Sequence, residues 1–170
     1  MKSELLSRIL TSAILLPILF YVITYSKIYL IALLGFFYLL SIYEIIKNTK
    51  NLSFIFLVSF FLILPFYSFY FLRGSTDYAL VTLIWILTST FLSDIGGYIF
   101  GKIFKGKKLI SISPNKTISG AIGSIILSSL SLVLVNSFQI FFFNKILINF
   151  YELKFLIFTI LISIVCQLGD

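Results

Sequence analysis

Six stretches of the chain are almost continuously apolar, at residues 9–25, 28–46, 52–72, 78–100, 118–143 and 153–168, and short polar segments separate them. A helix needs about 20 mostly apolar residues to cross the roughly 30 Å hydrocarbon core of a bilayer, so this pattern predicts membrane-crossing helices. The period-two alternation of a transmembrane barrel is absent, and a helix satisfies every backbone hydrogen bond internally. The third stretch contains Pro65, which is expected to kink or split it, and the fifth is long enough to break near Asn136. The fold class is therefore all-α, a polytopic transmembrane helical bundle of about six helices. No linker, low-complexity tract or internal repeat interrupts the chain, which predicts one integral membrane domain over residues 1–170.

Composition agrees. Hydrophobic residues make up 60% of the 170 positions and charged residues 11%, with a mean hydropathy of +1.13, too few charges to clothe a soluble globule. That excludes a soluble enzyme, and the same hydrophobicity excludes a disordered chain. Cys166 is the one cysteine and lies inside an apolar run, which excludes a disulfide framework and leaves packing as its role. With no histidine, a bound metal would rest on carboxylates, phosphates, carbonyls or water, a set that suits magnesium better than zinc. Lys2 and Arg8 precede the first apolar run as in a signal peptide, but residues 17–25 offer no small-residue cleavage pattern, so this run is read as a retained helix.

Charge sets the orientation. With six crossings, Lys2, Arg8, Lys47, Lys50, Lys102, Lys105, Lys107, Lys108 and Lys116 fall on one side, against Lys27, Arg73, Lys145 and Lys154 on the other. The positive-inside rule makes the lysine-rich side cytoplasmic, which places the amino terminus and the loop from Lys102 to Lys116 there, in a cell inner (cytoplasmic) membrane. Most of these lysines need no role beyond topology and attraction to anionic lipid. The loop is denser, with five lysines and no acid, and could also gather a polyanionic substrate. At about 1.5 Å per helical residue, Glu44, Asp94 and Asp170 each lie about 24–25 Å from the opposite end of their runs, near that same interface. Solvation or a contact with Lys47 accounts for Glu44. Glu4, Asp77 and Glu152 sit in terminal or loop positions.

The densest run of small and polar residues spans residues 93–124. Gly97 and Gly101 form a G-x-x-x-G pair, which serves close helix packing, leaves a homodimer open, and equally suits approach of a ligand. Ser113-Pro114 interrupts the loop, and Asn115-Lys116-Thr117 opens the fifth helix with an amide, a cation and a hydroxyl around free backbone N–H groups. Such a helix start attracts phosphate, although the same letters describe an ordinary capped helix. The glycine pattern of a P-loop is missing.

At these residues the chain resembles the phosphatidate cytidylyltransferases, or CDP-diacylglycerol synthases, a family of multi-pass membrane enzymes. The resemblance rests on Asp94, Gly96, Tyr98 and Gly101; on Ser113, Pro114, Lys116 and Thr117 followed by Gly120 and Gly123; and on Gln167, Gly169 and Asp170, with a weaker fit at Arg8, Pro17 and Glu44. Asn115 and Ser119 stand where the family usually has lysine and glutamate, and Ile95 replaces a common hydroxyl residue. The resemblance implies transfer of a cytidylyl group from CTP to phosphatidate, with Mg2+ as cofactor and a bilayer as surroundings. It implies Asp94, Lys116 and Asp170 as catalytic residues, Asp170 and Asp94 as metal ligands, and Ser113 and Thr117 as substrate-binding residues, to which the helix start adds Asn115 and the charge of the loop adds Lys105, Lys107 and Lys108. No nucleic-acid partner is expected. The sequence ends at Asp170, where family members continue into a lysine-aspartate pair and a histidine-glycine-glycine signature, so a shortened, inactive member is one expectation. Other readings left open are another CTP-dependent lipid enzyme such as a polyprenol kinase, a small transporter subunit, and a non-catalytic membrane fragment.

Overall fold

A computed structural model describes residues 17–105, 107 and 116–169. Residues 17–25 (α1) are helical, and α2 (Lys27–Asn48), α3 (Leu52–Arg73), α4 (Asp77–Phe104), α5 (Ile118–Phe143) and α6 (Leu153–Gly169) follow, with no strand among the described residues. The part of the first apolar run before residue 17, and with it the reading of a retained amino-terminal helix, lies outside the described residues. Helices α2 to α5 are each long and apolar enough to cross a membrane, and α6, with 17 residues, is shorter. The protein is a multi-pass membrane protein.

Polar residues set the helix starts. The Ser26 hydroxyl accepts from Ile28 N at 3.2 Å, the Asn51 amide oxygen accepts from Ser53 N and Phe54 N, and the Thr117 hydroxyl accepts from Gly120 N at 3.1 Å, each satisfying donors that a helix leaves unpaired. Asn144 ends α5 in the left-handed conformation that asparagine tolerates well. Neither α3 nor α5 is split at the expected positions. Helix α3 runs unbroken through Pro65, because in hydrocarbon the remaining backbone groups have no partner outside the helix. Helix α5 continues past Asn136 to Phe143, because Asn136 is buried and its amide oxygen accepts from Gln139 Nε2 and Phe150 N instead of competing with the helix backbone.

The chain forms two compact units that divide at Leu80 and Val81. In the first, α2 and α3 lie antiparallel, with Tyr38 edge-on to Phe66, its hydroxyl donating to Ser59 O, and Lys27 over the ring of Tyr70. Arg73, buried at the end of α3, donates to Ile23 O at 2.6 Å and Thr24 O at 3.5 Å, carbonyls of the last turn of α1. A cation suits that end of a helix.

The second unit is built from α4, α5 and α6 with its polar residues inside. Ser89, Ser93, Ser124, Ser128, Ser131, Asn136, Gln139, Thr159 and Ser163 are all buried, while Phe141, Leu153 and Leu168 are exposed. Hydrocarbon solvates the apolar exterior, so the helices are joined by packing and hydrogen bonds rather than by burial of oily surface. The bonds run Trp85 Nε1 to Thr159, Ser89 to Ser131 at 2.7 Å, and Ser93 to Ser163 at 2.8 Å. At one end Gln139 clamps the connection to α6, accepting from Leu147 N and Ile148 N and donating to Ile148 O. Trp85, Phe150 and Phe155 form a cluster of tilted and edge-on rings.

At the other end α4 and α5 approach to backbone distance. A Cβ on Gly96 would collide with the Gly123 carbonyl, and one on Gly123 would collide with the side chain of Phe100. Gly96→Ala should therefore destabilise the protein by about 1–3 kcal/mol. Gly35→Ala, where nothing lies within 4 Å of the new atom, should be neutral or stabilise it by up to about 1 kcal/mol. Thermal midpoints in detergent measure both, and equal shifts would contradict the close contact. Gln139→Leu leaves the amides of Leu147 and Ile148 and the Ile148 carbonyl without their partner, at a cost of about 1–3 kcal/mol. Faster hydrogen exchange at residues 147 and 148 should report it.

Candidate active site

The glycine contact shapes a recess. Where α4 and α5 touch, Gly97 takes the place of a side chain that would strike the Ser124 hydroxyl, and Gly101 and Gly120 both pack against the Thr117 hydroxyl. Beside this contact lies a cavity of about 230 Å³ lined by Ser93, Asp94, Gly97 and Tyr98 of α4, Lys116 and Thr117 at the start of α5, and Gly120, Ala121 and Ser124 one and two turns on, with Gln167 of α6. The spacing explains the convergence. Positions 93, 94, 97 and 98 share one face of α4, and 117, 120, 121 and 124 share one face of α5.

Charge enters from two sides. Asp94 brings a carboxylate on α4, exposed beside the buried hydroxyl of Ser93. Lys116, half-buried, brings an ammonium that donates to Gln167 O at 2.6 Å. Thr117 caps α5 at Gly120 N and shares a hydrogen bond with Ser119 at 3.1 Å. The recess thus combines a cation, a helix start and hydroxyls, a set that receives phosphate oxygens. The capped-helix and anion-binding readings of Thr117 are compatible, since one hydroxyl lone pair caps the helix while the other face borders the cavity.

The sequence-derived site residues divide three ways. Asp94, Lys116 and Thr117 come together in the recess. Lys105 and Lys107 do not line it: Lys105 is exposed and closes α4 with a left-handed backbone, φ 42°, while exposed Lys107 offers its carbonyl to Ile118 N at 2.9 Å. Asp170, Ser113, Asn115 and Lys108 lie outside the described residues. Glu44 is exposed on α2, in a cleft of the first unit with Ser41 and Asn48, and makes no ion pair with Lys47.

Ser93, Ala121 and Ser124 border the cavity although the sequence reading passed over them. Their signal was helical spacing, one turn from Gly97, Thr117 and Gly120 respectively. Among the described residues no three His, Cys, Asp or Glu side chains meet, so these residues make no all-protein metal cage. Magnesium does not need one, because it keeps water and substrate phosphates and takes one or two carboxylates. The Asp94 carboxylate with the Ser93, Thr117 and Ser124 hydroxyls is a hard-oxygen set of that kind.

Comparison with known proteins places these residues in context. The cytidylyltransferase family matches residues 47–170. A phosphatidate cytidylyltransferase of Bacillus subtilis (strain 168) is 32% identical over 144 residues, covering 82% of this chain and 51% of the relative. One from Staphylococcus haemolyticus (strain JCSC1435) is 44% identical over 80 residues, 46% of this chain and 28% of the relative. A third, from Helicobacter pylori (strain J99 / ATCC 700824), is 36% identical over 53 residues, 31% of this chain and 20% of the relative. The chain spans about half the length of the Bacillus relative, or less of the other two. No solved structure matches it. Since the family match takes in every described residue of the recess, the chain belongs to the cytidylyltransferase family.

Proposed function

We propose that this protein carries the cytidylyl-transfer chemistry of phosphatidate cytidylyltransferases, in which CTP and phosphatidate give CDP-diacylglycerol and pyrophosphate. The observation that carries this reading is the meeting of Asp94, Lys116 and Thr117 in one recess, inside the segment that matches the family. In the reaction a phosphate oxygen of phosphatidate attacks the α-phosphorus of CTP, and the bond from that phosphorus to the bridging oxygen breaks. The leaving group is pyrophosphate. The attacking phosphate is already an anion, so no protein nucleophile and no general base are needed. Catalysis then depends on positioning and on neutralising oxygen charge.

Each lining residue has a part. The Lys116 ammonium meets phosphate oxygens and offsets the negative charge that gathers on the departing pyrophosphate. The Thr117 hydroxyl and the positive end of the α5 dipole favour those oxygens, and Gly97 keeps the wall of the recess open to them. Asp94 would hold magnesium, with Asp170 as a second carboxylate by resemblance. When bound, the ion supplies positive charge to the phosphates. At about 230 Å³ the cavity is below the roughly 300 Å³ of the smallest usual ligand sites, a size for phosphate groups with the nucleoside and acyl chains outside it. The lysine-rich side of the protein faces the cytoplasm of an inner membrane in this reading, where CTP is dissolved and the phosphatidate headgroup lies at the interface. Lys105, Lys107 and Lys108 concentrate both anions there.

The test is conversion of labelled CTP into CDP-diacylglycerol by the purified chain in liposomes with magnesium, offering phosphatidate, diacylglycerol and a polyprenol in parallel. Product from phosphatidate alone, reduced about 100-fold or more by Lys116→Ala and by Asp94→Asn, is the expected result. Phosphorylation of the lipid alcohols instead, or activity indifferent to both substitutions, would overturn the reading. Single substitutions of Lys105 or Lys107 by alanine should lower the rate about threefold or less and more at low salt than at high, as screened surface charges do.

A further inference from the structure

A lysine side chain has four rotatable bonds and much rotamer freedom to lose, so its charge stays at one place only if something holds it. At Lys116 the holder is the Gln167 carbonyl at 2.6 Å. Gln167 lies in the last turn of α6, where carbonyls lack an intrahelical partner and the helix dipole favours a cation. The Gln167 side chain is anchored in turn. Its Nε2 donates to the Ser163 hydroxyl at 3.2 Å, one turn earlier on α6, and more weakly to Ala121 O at 3.4 Å on α5. Ser163 is fully buried and shares a hydrogen bond with Ser93 of α4 at 2.8 Å, the neighbour of Asp94. A chain of contacts thus runs from Lys116 through Gln167 and Ser163 to Ser93 and touches the recess at both ends. Ser163 itself does not line the recess.

We propose that Ser163 is a positioning residue for anion binding: by anchoring Gln167 it fixes the α6 carbonyl that holds the Lys116 ammonium at the recess, where phosphate oxygens meet a charge already in place. This inference rests on the reading that the recess receives phosphate groups. A buried serine can also join helices without any such role, and the two roles differ in one respect. Positioning acts through Lys116, and helix joining does not.

The experiment measures affinity of the full chain in lipid nanodiscs for CTP and, separately, for inorganic tripolyphosphate. Ser163→Ala should weaken both about threefold to tenfold, the effect of one hydrogen bond, and Ser163→Thr, which keeps the hydroxyl, should restore binding. Gln167→Leu should reproduce the loss from the other side of the contact. In a Lys116→Met background, neither Ser163→Ala nor Gln167→Leu should weaken binding further. Equal losses with and without Lys116 would overturn the proposal and leave Ser163 as a helix-joining residue. Tripolyphosphate binding with this pattern, but no binding of CTP, would support the positioning role while sinking the nucleotide reading. If the unsubstituted chain binds neither ligand, both fall.

Discussion

Backbone contact between α4 and α5 is the constraint on which the site depends. Gly96 meets the Gly123 carbonyl, and Gly97 meets Gly120, at separations that leave no room for a methyl group. A glycine inside a helix costs about 1 kcal/mol relative to alanine, so four of them at one crossing weaken both helices. The contact offsets that cost by letting two spans touch in a medium where apolar side chains gain nothing by leaving the lipid. The same absence of side chains leaves space beside the crossing, and that space is the recess.

The rest of the second unit supports this crossing by placing polarity inside and hydrocarbon outside. Serine pairs link α4 to α5 and to α6, and Gln139 ties the α5–α6 connection at the far end. Near the recess the seam takes on charge. Ser93 adjoins Asp94, and Gln167 meets both Ser163 and Lys116. One set of hydrogen bonds therefore holds three helices together and reaches the groups that line the recess. Unsatisfied polar groups in hydrocarbon are costly, so the seam tolerates few substitutions that keep its geometry.

Much of this was legible in the sequence. Helix bounds follow the apolar runs within a few residues because membrane length and hydropathy leave little choice. Asp94, Lys116 and Thr117 stood out as polar letters in an apolar chain, and helical spacing brings them together. Two features were not legible. Pro65 and Asn136 read as breakers under rules drawn from water, where a backbone group released from a helix finds another partner, whereas here Asn136 turns inward to Gln139 and Phe150. The serines of the seam were silent because a serine in a membrane helix looks the same whether it packs, bonds to its own helix or joins another. Only the register of α4 against α5 and α6 tells them apart.

In the proposed function the glycine crossing of α4 and α5 forms the phosphate-binding end of a nucleotide site. Photolabelling of the membrane-embedded protein with an azido derivative of CTP, followed by peptide mapping, tests it most directly. The account predicts label in peptides from residues 93–124, displaced by unlabelled CTP and by pyrophosphate. Label confined to residues 27–73, or label that neither competitor displaces, would contradict it.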